Sequence, residues 1–186
     1  MDKAKVIELI DANAKEAERV INEKIGIWAD HVVFSGLWWM GVALAVIPWV
    51  VWLIARPRES TDRLLYVGAM VAMFSVVADV LGDQFALWHY RFNVLPLLPT
   101  YVPWDVTLMP VTVMFFLQIK PKANPYMKAL IYAVLTSYVA EPVFHALDVY
   151  NPQHWKYSYS VPIQFALYLA AHWMLQHRHR FDRLEH

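Results

Sequence analysis

The sequence contains no cysteine and few charged residues. Of its 186 residues, 17% are charged, whereas soluble domains have about 25%. The lack of cysteine excludes disulfides, thiolate nucleophiles, and zinc or iron–sulfur sites with cysteine ligands. The formal net charge is +0, so nothing favours binding to nucleic acid. The chain also lacks a phosphate-binding loop, a nucleophile elbow and a dinucleotide fingerprint.

Hydrophobic residues dominate what is present. They make up 59% of the chain, and nine Trp, ten Tyr and nine Phe are among them. One small water-soluble core cannot bury this aromatic load, so the composition predicts a membrane protein. Five apolar runs are each long enough to cross a hydrocarbon core of about 30 Å. We predict an all-α integral membrane bundle whose five transmembrane helices cover residues 32–55, 64–81, 102–119, 126–146 and 158–176.

The distribution of Lys and Arg predicts the orientation. These residues concentrate in the loops after the first and third runs and in the tail, whereas the alternate loops hold only Arg91 and Lys156. The positive-inside rule therefore predicts a cytoplasmic C-terminus and an N-terminus outside the cell membrane. Apolar residues recur every three or four positions from Val6 to Ile25, which predicts an N-terminal amphipathic helix. The predicted units are residues 1–30 (this helix), 31–180 (the five spans) and 181–186 (a short cytoplasmic tail).

The five-span topology collects polar and aromatic residues on one side of the membrane. Runs two and four end there, and runs three and five begin there. A carboxylate near the centre of a span costs about 2.5–3.5 kcal/mol on insertion scales, so acids in the spans imply a compensating function or partner. The collected residues are Asp79, Asp83, Trp88, His89, Tyr90, Trp104, Asp105, Glu141, His145, Asp148, His154, Trp155 and Lys156.

Spacing and proline positions sharpen this prediction. Asp79 and Asp83 are four residues apart, and Glu141 is followed by His145 at four and Asp148 at seven, so each set is expected to share a helix stripe. A proline inside a helix removes one backbone donor and frees the carbonyl four residues earlier. Pro142 thus frees a carbonyl at position 138, and Pro110 frees one at position 106.

Three functional interpretations remain open. In the first, Asp79, Asp105 and Glu141 are the acid–base residues acting on a small apolar molecule. The molecule is bound by a second set, Asp83, Trp88, Tyr90, Trp104, His145 and Trp155, whose aromatic members can stabilise a developing cation. In the second, a metal binds to Glu141, His145 and Asp148. In the third, the acids serve assembly in a non-enzymatic or transporter-like membrane subunit, by pairing with His89, Arg91, His145 and Lys156.

Two resemblances add to this interpretation. Several features follow one another in a recognisable order. An acid precedes Trp88-His89-Tyr90; next come Pro96, Pro99, Pro103 and Pro110, and then Tyr126, Glu141, Tyr150, Trp155 and Ser160. Between residues 75 and 173 this order resembles an uncharacterised family of small multi-pass membrane proteins from spore-forming bacteria. The resemblance implies the fold and the polar cluster, and it brings no established reaction.

A weaker similarity is to membrane-embedded terpene and carotenoid cyclases, which use intramembrane acids beside aromatic residues. No cyclase motif matches residue for residue, because Glu141 is followed by Pro142 and not by a second acid. We favour the first interpretation because acids and aromatic residues converge on one side of the membrane. The expected partners are the lipid bilayer and an apolar small molecule, with a homo-oligomer or a membrane partner as further options, and no cofactor is expected.

Overall fold

A computed structural model describes residues 2–96 and 99–177, and it is mostly helical, as the sequence predicts. Helix α1 spans Lys3–Ile27 and continues into a short π-helical segment, π1, at Trp28–Val32. No residue of α1 is buried, so its apolar stripe is exposed. The predicted tail at residues 181–186 lies outside the described residues.

All five predicted apolar runs are helical. The first is α2, Gly36–Ala55, and the second is α3, Thr61–Gln84. The third consists of π2, Pro103–Leu108, and α4, Met109–Gln118. The fourth consists of α5, Pro125–Leu135, π3, Thr136–Ala140, and α6, Glu141–Ala146, and the fifth is α7, Tyr157–His177.

Three helical stretches in the described part of the chain are long and apolar enough to cross a membrane: Gly36–Ala55, Arg58–Gln84 and Pro125–Ala146. This number is smaller than the five predicted. The third run is too short, because π2 has six residues and α4 has ten. Helix α7 has 21 residues, but its Ser, Gln and His side chains lower its mean hydropathy.

A two-residue strand pair, which the sequence does not predict, joins two loops at one end of the bundle. Strand β1, His89–Tyr90, follows α3, and strand β2, Tyr150–Asn151, follows α6. They are antiparallel, with Tyr90 opposite Tyr150. The Arg91 amide donates to the Val149 carbonyl at 3.0 Å, and the His154 amide donates to the Leu87 carbonyl at 2.9 Å. The ends of α3 and α6 therefore lie together, as alternating helices require.

Prolines account for two of the π-helical segments. Segment π2 ends two residues before Pro110, and π3 ends two residues before Pro142. Each proline lacks the N–H that would continue the α-helical pattern, so the preceding turn widens. The carbonyl of Val106, which Pro110 leaves without its helical donor, accepts a hydrogen bond from the Trp49 indole of α2 at 3.1 Å.

This hydrogen bond gives a first prediction. Trp49→Phe is expected to lower the free energy of unfolding by about 1 kcal/mol, because the Val106 carbonyl loses its donor. Trp39→Phe is the matched control on the same helix, since Trp39 is exposed and, among the described residues, its ring meets the rings of Trp38 and Phe34 alone. Thermal unfolding of both variants in the same detergent measures the difference. Equal losses in the two variants would contradict the role of this bond.

Candidate carboxyl site

The acids of different helices meet at a cavity of about 80 Å³ near the end of the bundle that carries the strand pair. Helix α3 contributes Ser75 and Asp79, α6 contributes Glu141, and α7 contributes Ser160 and Gln164. The rest of the lining is Phe74, Ala78, Trp88, Tyr90, Trp104, Met109, Phe144, Tyr150, Trp155 and Ile163. The cavity therefore has carboxyl and hydroxyl groups set in an aromatic wall.

Asp79 and Asp105 form a buried pair of carboxyl groups. Asp105 is fully buried and accepts hydrogen bonds from the Ser75 hydroxyl at 2.5 Å and from the Tyr101 amide at 3.1 Å. Asp79 accepts the Trp88 indole N–H at 3.0 Å, and its carboxyl contacts that of Asp105. A hydrogen bond between two carboxyl groups needs a proton on one of them. Because both oxygens of Asp105 accept a hydrogen bond, whereas Oδ2 of Asp79 has no donor among the described residues, the pair favours the proton on Asp79.

Glu141 is the second acid of the cavity. It is buried at the start of α6, directly after π3, and contacts the Ser160 hydroxyl of α7. Ser160 also accepts the Trp155 indole N–H at 2.9 Å, so its own proton is free to point at Glu141. The result is a chain of donors from Trp155 through Ser160 to the carboxylate. Glu141 is thus positioned as a proton acceptor on a different helix from the α3 acid.

Both acids keep an oxygen without a donor. Oδ2 of Asp79 and Oε2 of Glu141 are buried. When both carboxyl groups are ionised, neither oxygen meets a hydrogen-bond donor in the described residues. Most buried polar atoms in native proteins are paired, so each exception needs an explanation. Here, both oxygens belong to residues that line the same cavity. They would be satisfied by protons or by a bound molecule with donor groups.

Aromatic rings share the cavity lining with these acids. Trp88 meets Trp155 edge to face, with 4.8 Å between ring centroids, and Trp104 meets Phe144 at 5.3 Å. Tyr90 lies in the strand pair that covers this end of the cavity. Burial raises the pKa of Tyr90 well above its ordinary value, so this hydroxyl remains protonated. Such rings present π faces that attract a cation.

The structure brings together six of the nine predicted site residues at the cavity: Asp79, Glu141, Trp88, Tyr90, Trp104 and Trp155. Asp105 lies directly behind Asp79 and does not line the cavity. Asp83 is half-buried in the last turn of α3, away from the lining residues. His145 is exposed, and its Nδ1 lies 2.5 Å from the Tyr157 hydroxyl.

The predicted stripe of Glu141, His145 and Asp148 does not form. Helix α6 ends at Ala146, so Asp148 falls in the following turn, with a φ of 59°. Its exposed carboxylate pairs with Arg91 at 3.1 Å. In residues 2–96 and 99–177, no group of three or more His, Asp or Glu side chains is arranged to hold a metal ion.

Sequence reasoning missed several lining residues, above all Ser75, Ser160 and Gln164. Signals for them exist in the sequence. Ser75 precedes Asp79 by four residues, and Ser160 precedes Gln164 by four, so each pair shares a helix face. A buried Gln inside an apolar run is itself a polar residue that a membrane helix turns toward the bundle interior.

Comparison with family models, with curated proteins and with solved structures finds no match to this chain. The resemblance to a family from spore-forming bacteria therefore stays a prediction. The fold and the site define the chain as a helical protein with membrane-length apolar helices and a buried carboxyl cavity.

Proposed function

We propose that this protein is a five-span cell-membrane protein, with its C-terminus in the cytoplasm, that binds a small apolar or amphipathic molecule at the carboxyl cavity. We further propose that it converts this molecule by acid–base chemistry of the cyclase or isomerase type. The observation that carries the proposal is the pair of cavity acids, Asp79 and Glu141, which come from different helices and each keep an unpaired oxygen. The packing of α7 on α3 and α5, and of α4 on α3, supports five spans.

An acid–base isomerisation or cyclisation needs one proton donor and one proton acceptor on opposite sides of the bound molecule. Asp79 gives its proton to one carbon of a double bond, and the positive charge develops on the neighbouring carbon. Glu141 then removes a proton from a carbon next to the cation and a new double bond forms, either directly or after ring closure. The product has the same composition as the substrate. The cycle is completed when a proton returns from Glu141 to Asp79.

The other residues support this sequence of steps. Asp105 keeps its negative charge through its bonds to Ser75 and Tyr101, and this charge favours the return of a proton to Asp79 after each cycle. Trp88 orients Asp79 through its indole N–H. The rings of Trp88, Trp104 and Trp155 exclude water from the cation and stabilise its charge.

The test is a comparison of wild type and Glu141→Gln in lipid nanodiscs by native mass spectrometry. We expect wild type to carry a bound organic molecule, and the variant to lose about tenfold or more of it, since an amide whose oxygen accepts from Ser160 places an NH2 donor where Glu141 has an unpaired acceptor. Asp83→Asn is the matched control, because it makes the same chemical change outside the cavity. Wild type without any bound molecule, or equal occupancy in Glu141→Gln, would contradict the proposal.

A further inference from the structure

A second, larger cleft lies beside the carboxyl cavity. Its volume is about 370 Å³, and it runs between α2, the π2–α4 helix and the α5–π3–α6 helix. Apolar side chains form most of its walls, among them Leu44, Leu108, Val139 and Val143. The cleft is open at the surface of the bundle, where Val139 is 52% exposed. In a bilayer this surface faces lipid.

Two of the three hydroxyl groups along the cleft, those of Tyr132 and Thr136, are occupied, and the third belongs to Thr112. Thr136 donates to the Tyr132 carbonyl at 2.9 Å, and the Tyr132 hydroxyl contacts the sulfur of Met109 at 3.2 Å. Neither group is available to a ligand as a donor. The cleft therefore offers mostly apolar contact, which suits a hydrocarbon chain.

Only one layer of side chains separates the two spaces. Trp104, Met109 and Phe144 line both the cleft and the carboxyl cavity. Trp104 and Phe144 meet edge to face rather than stacking, and Met109 has a flexible, unbranched side chain. A small rotation of these side chains would join the cleft to the cavity.

The sizes of the two spaces decide how a ligand divides between them. Ligand pockets usually have about 300–1,000 Å³, and the carboxyl cavity, at about 80 Å³, is well below this range. It has room for a functional group and a few carbon atoms. The remainder of any larger molecule must lie elsewhere, and the adjoining cleft has the volume and the polarity for it.

The cavity also selects the polar end of the ligand. Its unpaired acceptor in the state with Asp79 protonated is Oε2 of Glu141, which needs a hydrogen-bond donor. A hydroxyl group supplies a donor without charge. A carboxylate or a phosphate brings only acceptors and a negative charge, which these acids would repel.

We infer that the substrate is a neutral, membrane-resident long-chain alcohol with a double bond near its hydroxyl end. Its chain lies in the apolar cleft, and its hydroxyl end passes Trp104, Met109 and Phe144 to reach the carboxyl cavity. This inference rests on the proposed function and names its substrate class. The molecule enters sideways from the bilayer, so it never has to cross water.

The probe for this inference is a long-chain primary alcohol with a diazirine in mid-chain and an alkyne at its end. The matched fatty acid is the comparison probe. Each is added to full-length protein in phosphatidylcholine nanodiscs, irradiated, and located by peptide mass spectrometry. We expect the alcohol to label peptides that contain Leu108, Val139 and Val143, and to exceed labelling by the fatty acid by about tenfold.

Two tryptophan substitutions on the same helical segment test the position of the chain. Val139→Trp places an indole in the cleft, and we expect it to reduce labelling by the alcohol by about tenfold. Val134→Trp is the control, because Val134 is 40% exposed on α5 but does not line the cleft. Equal labelling in Val139→Trp and Val134→Trp would overturn the inference.

The two proposals fail in different ways. Labelling that depends on Glu141 but is unaffected by Val139→Trp would overturn the position of the chain and leave the carboxyl site standing. Equal labelling by alcohol and acid, unchanged in Glu141→Gln, would overturn both, because the cleft would then be taking up any lipid chain. Loss of labelling in Val139→Trp and in Glu141→Gln, with preference for the alcohol, supports both.

Discussion

Replacement of Asp105 by alanine is expected to lower the free energy of unfolding by about 3 kcal/mol, and more if the cavity does not fill with water. Asp105 is fully buried and accepts two hydrogen bonds, from the Ser75 hydroxyl and the Tyr101 amide. Alanine leaves both donors without a partner in a region that water does not reach. It also removes the carboxyl group that contacts Asp79. Thermal unfolding in detergent measures the loss.

Asp105→Asn separates hydrogen bonding from charge. The amide oxygen can accept the Tyr101 N–H, and the Ser75 hydroxyl can turn to accept from the amide nitrogen. We therefore expect Asn to lose less than half as much stability as Ala, while ligand binding falls in both variants because the negative charge behind Asp79 is gone. Glu59→Ala, an exposed acid before α3, is the control. Equal losses of stability in Asp105→Asn and Asp105→Ala would show that the hydrogen bonds of Asp105 do not stabilise the fold.

Gly82→Ala is expected to disrupt the carboxyl cavity by displacing Trp88, one of the residues that line it. A Cβ at this position would lie 2.2 Å from two ring carbons of Trp88, so the ring must move. The ring is fixed by its hydrogen bond to Asp79 and by its contact with Trp155. We expect a loss of about 2 kcal/mol from overpacking and a parallel loss of ligand, because Trp88 can no longer orient Asp79.

Two other glycines show whether this effect is local. At Gly68 an added Cβ meets the Met114 sulfur at 2.8 Å, but a thioether chain can shift, so Gly68→Ala is expected to cost less than Gly82→Ala. At Gly26 nothing lies within 4 Å, and alanine there is expected to be neutral or slightly stabilising. Unfolding temperatures of the three variants, together with the signal of a fluorinated Trp88, check this order. A Gly82→Ala protein with an unchanged Trp88 signal would refute the argument.

The sequence predicts the helices well because each apolar run is bounded by charged residues or prolines. It also predicts that acids gather at one end of the bundle, because successive helices run in opposite directions, so that the ends of the second and fourth runs lie beside the starts of the third and fifth. The three acids chosen for catalysis are the ones that the structure places at or directly behind the cavity. In each case the residue lies inside an apolar run, where an unpaired acid would be most costly.

The positions of Asp83 and His145 could not be predicted from spacing alone. Residues four apart on a helix are offset by about 40°, and both residues lie in the last turn of their helix. Beyond that turn the neighbouring helix surface is replaced by loops. Trp88 fills the space next to Gly82, and Tyr157 meets His145. These contacts depend on loop conformation, which no periodic pattern records.

The widened turn at Thr136–Ala140 sets the direction of the acid that follows it. Segment π3 holds an extra residue, so the helix beyond it is rotated by about 100° relative to an uninterrupted α-helix. Glu141 is the first residue after this rotation. A chain one residue shorter here would keep its hydropathy profile and nearly its composition, yet its carboxyl group would point to another neighbour. A single inserted residue, and not an added functional group, therefore turns Glu141 toward the cavity that Asp79 of α3 also lines.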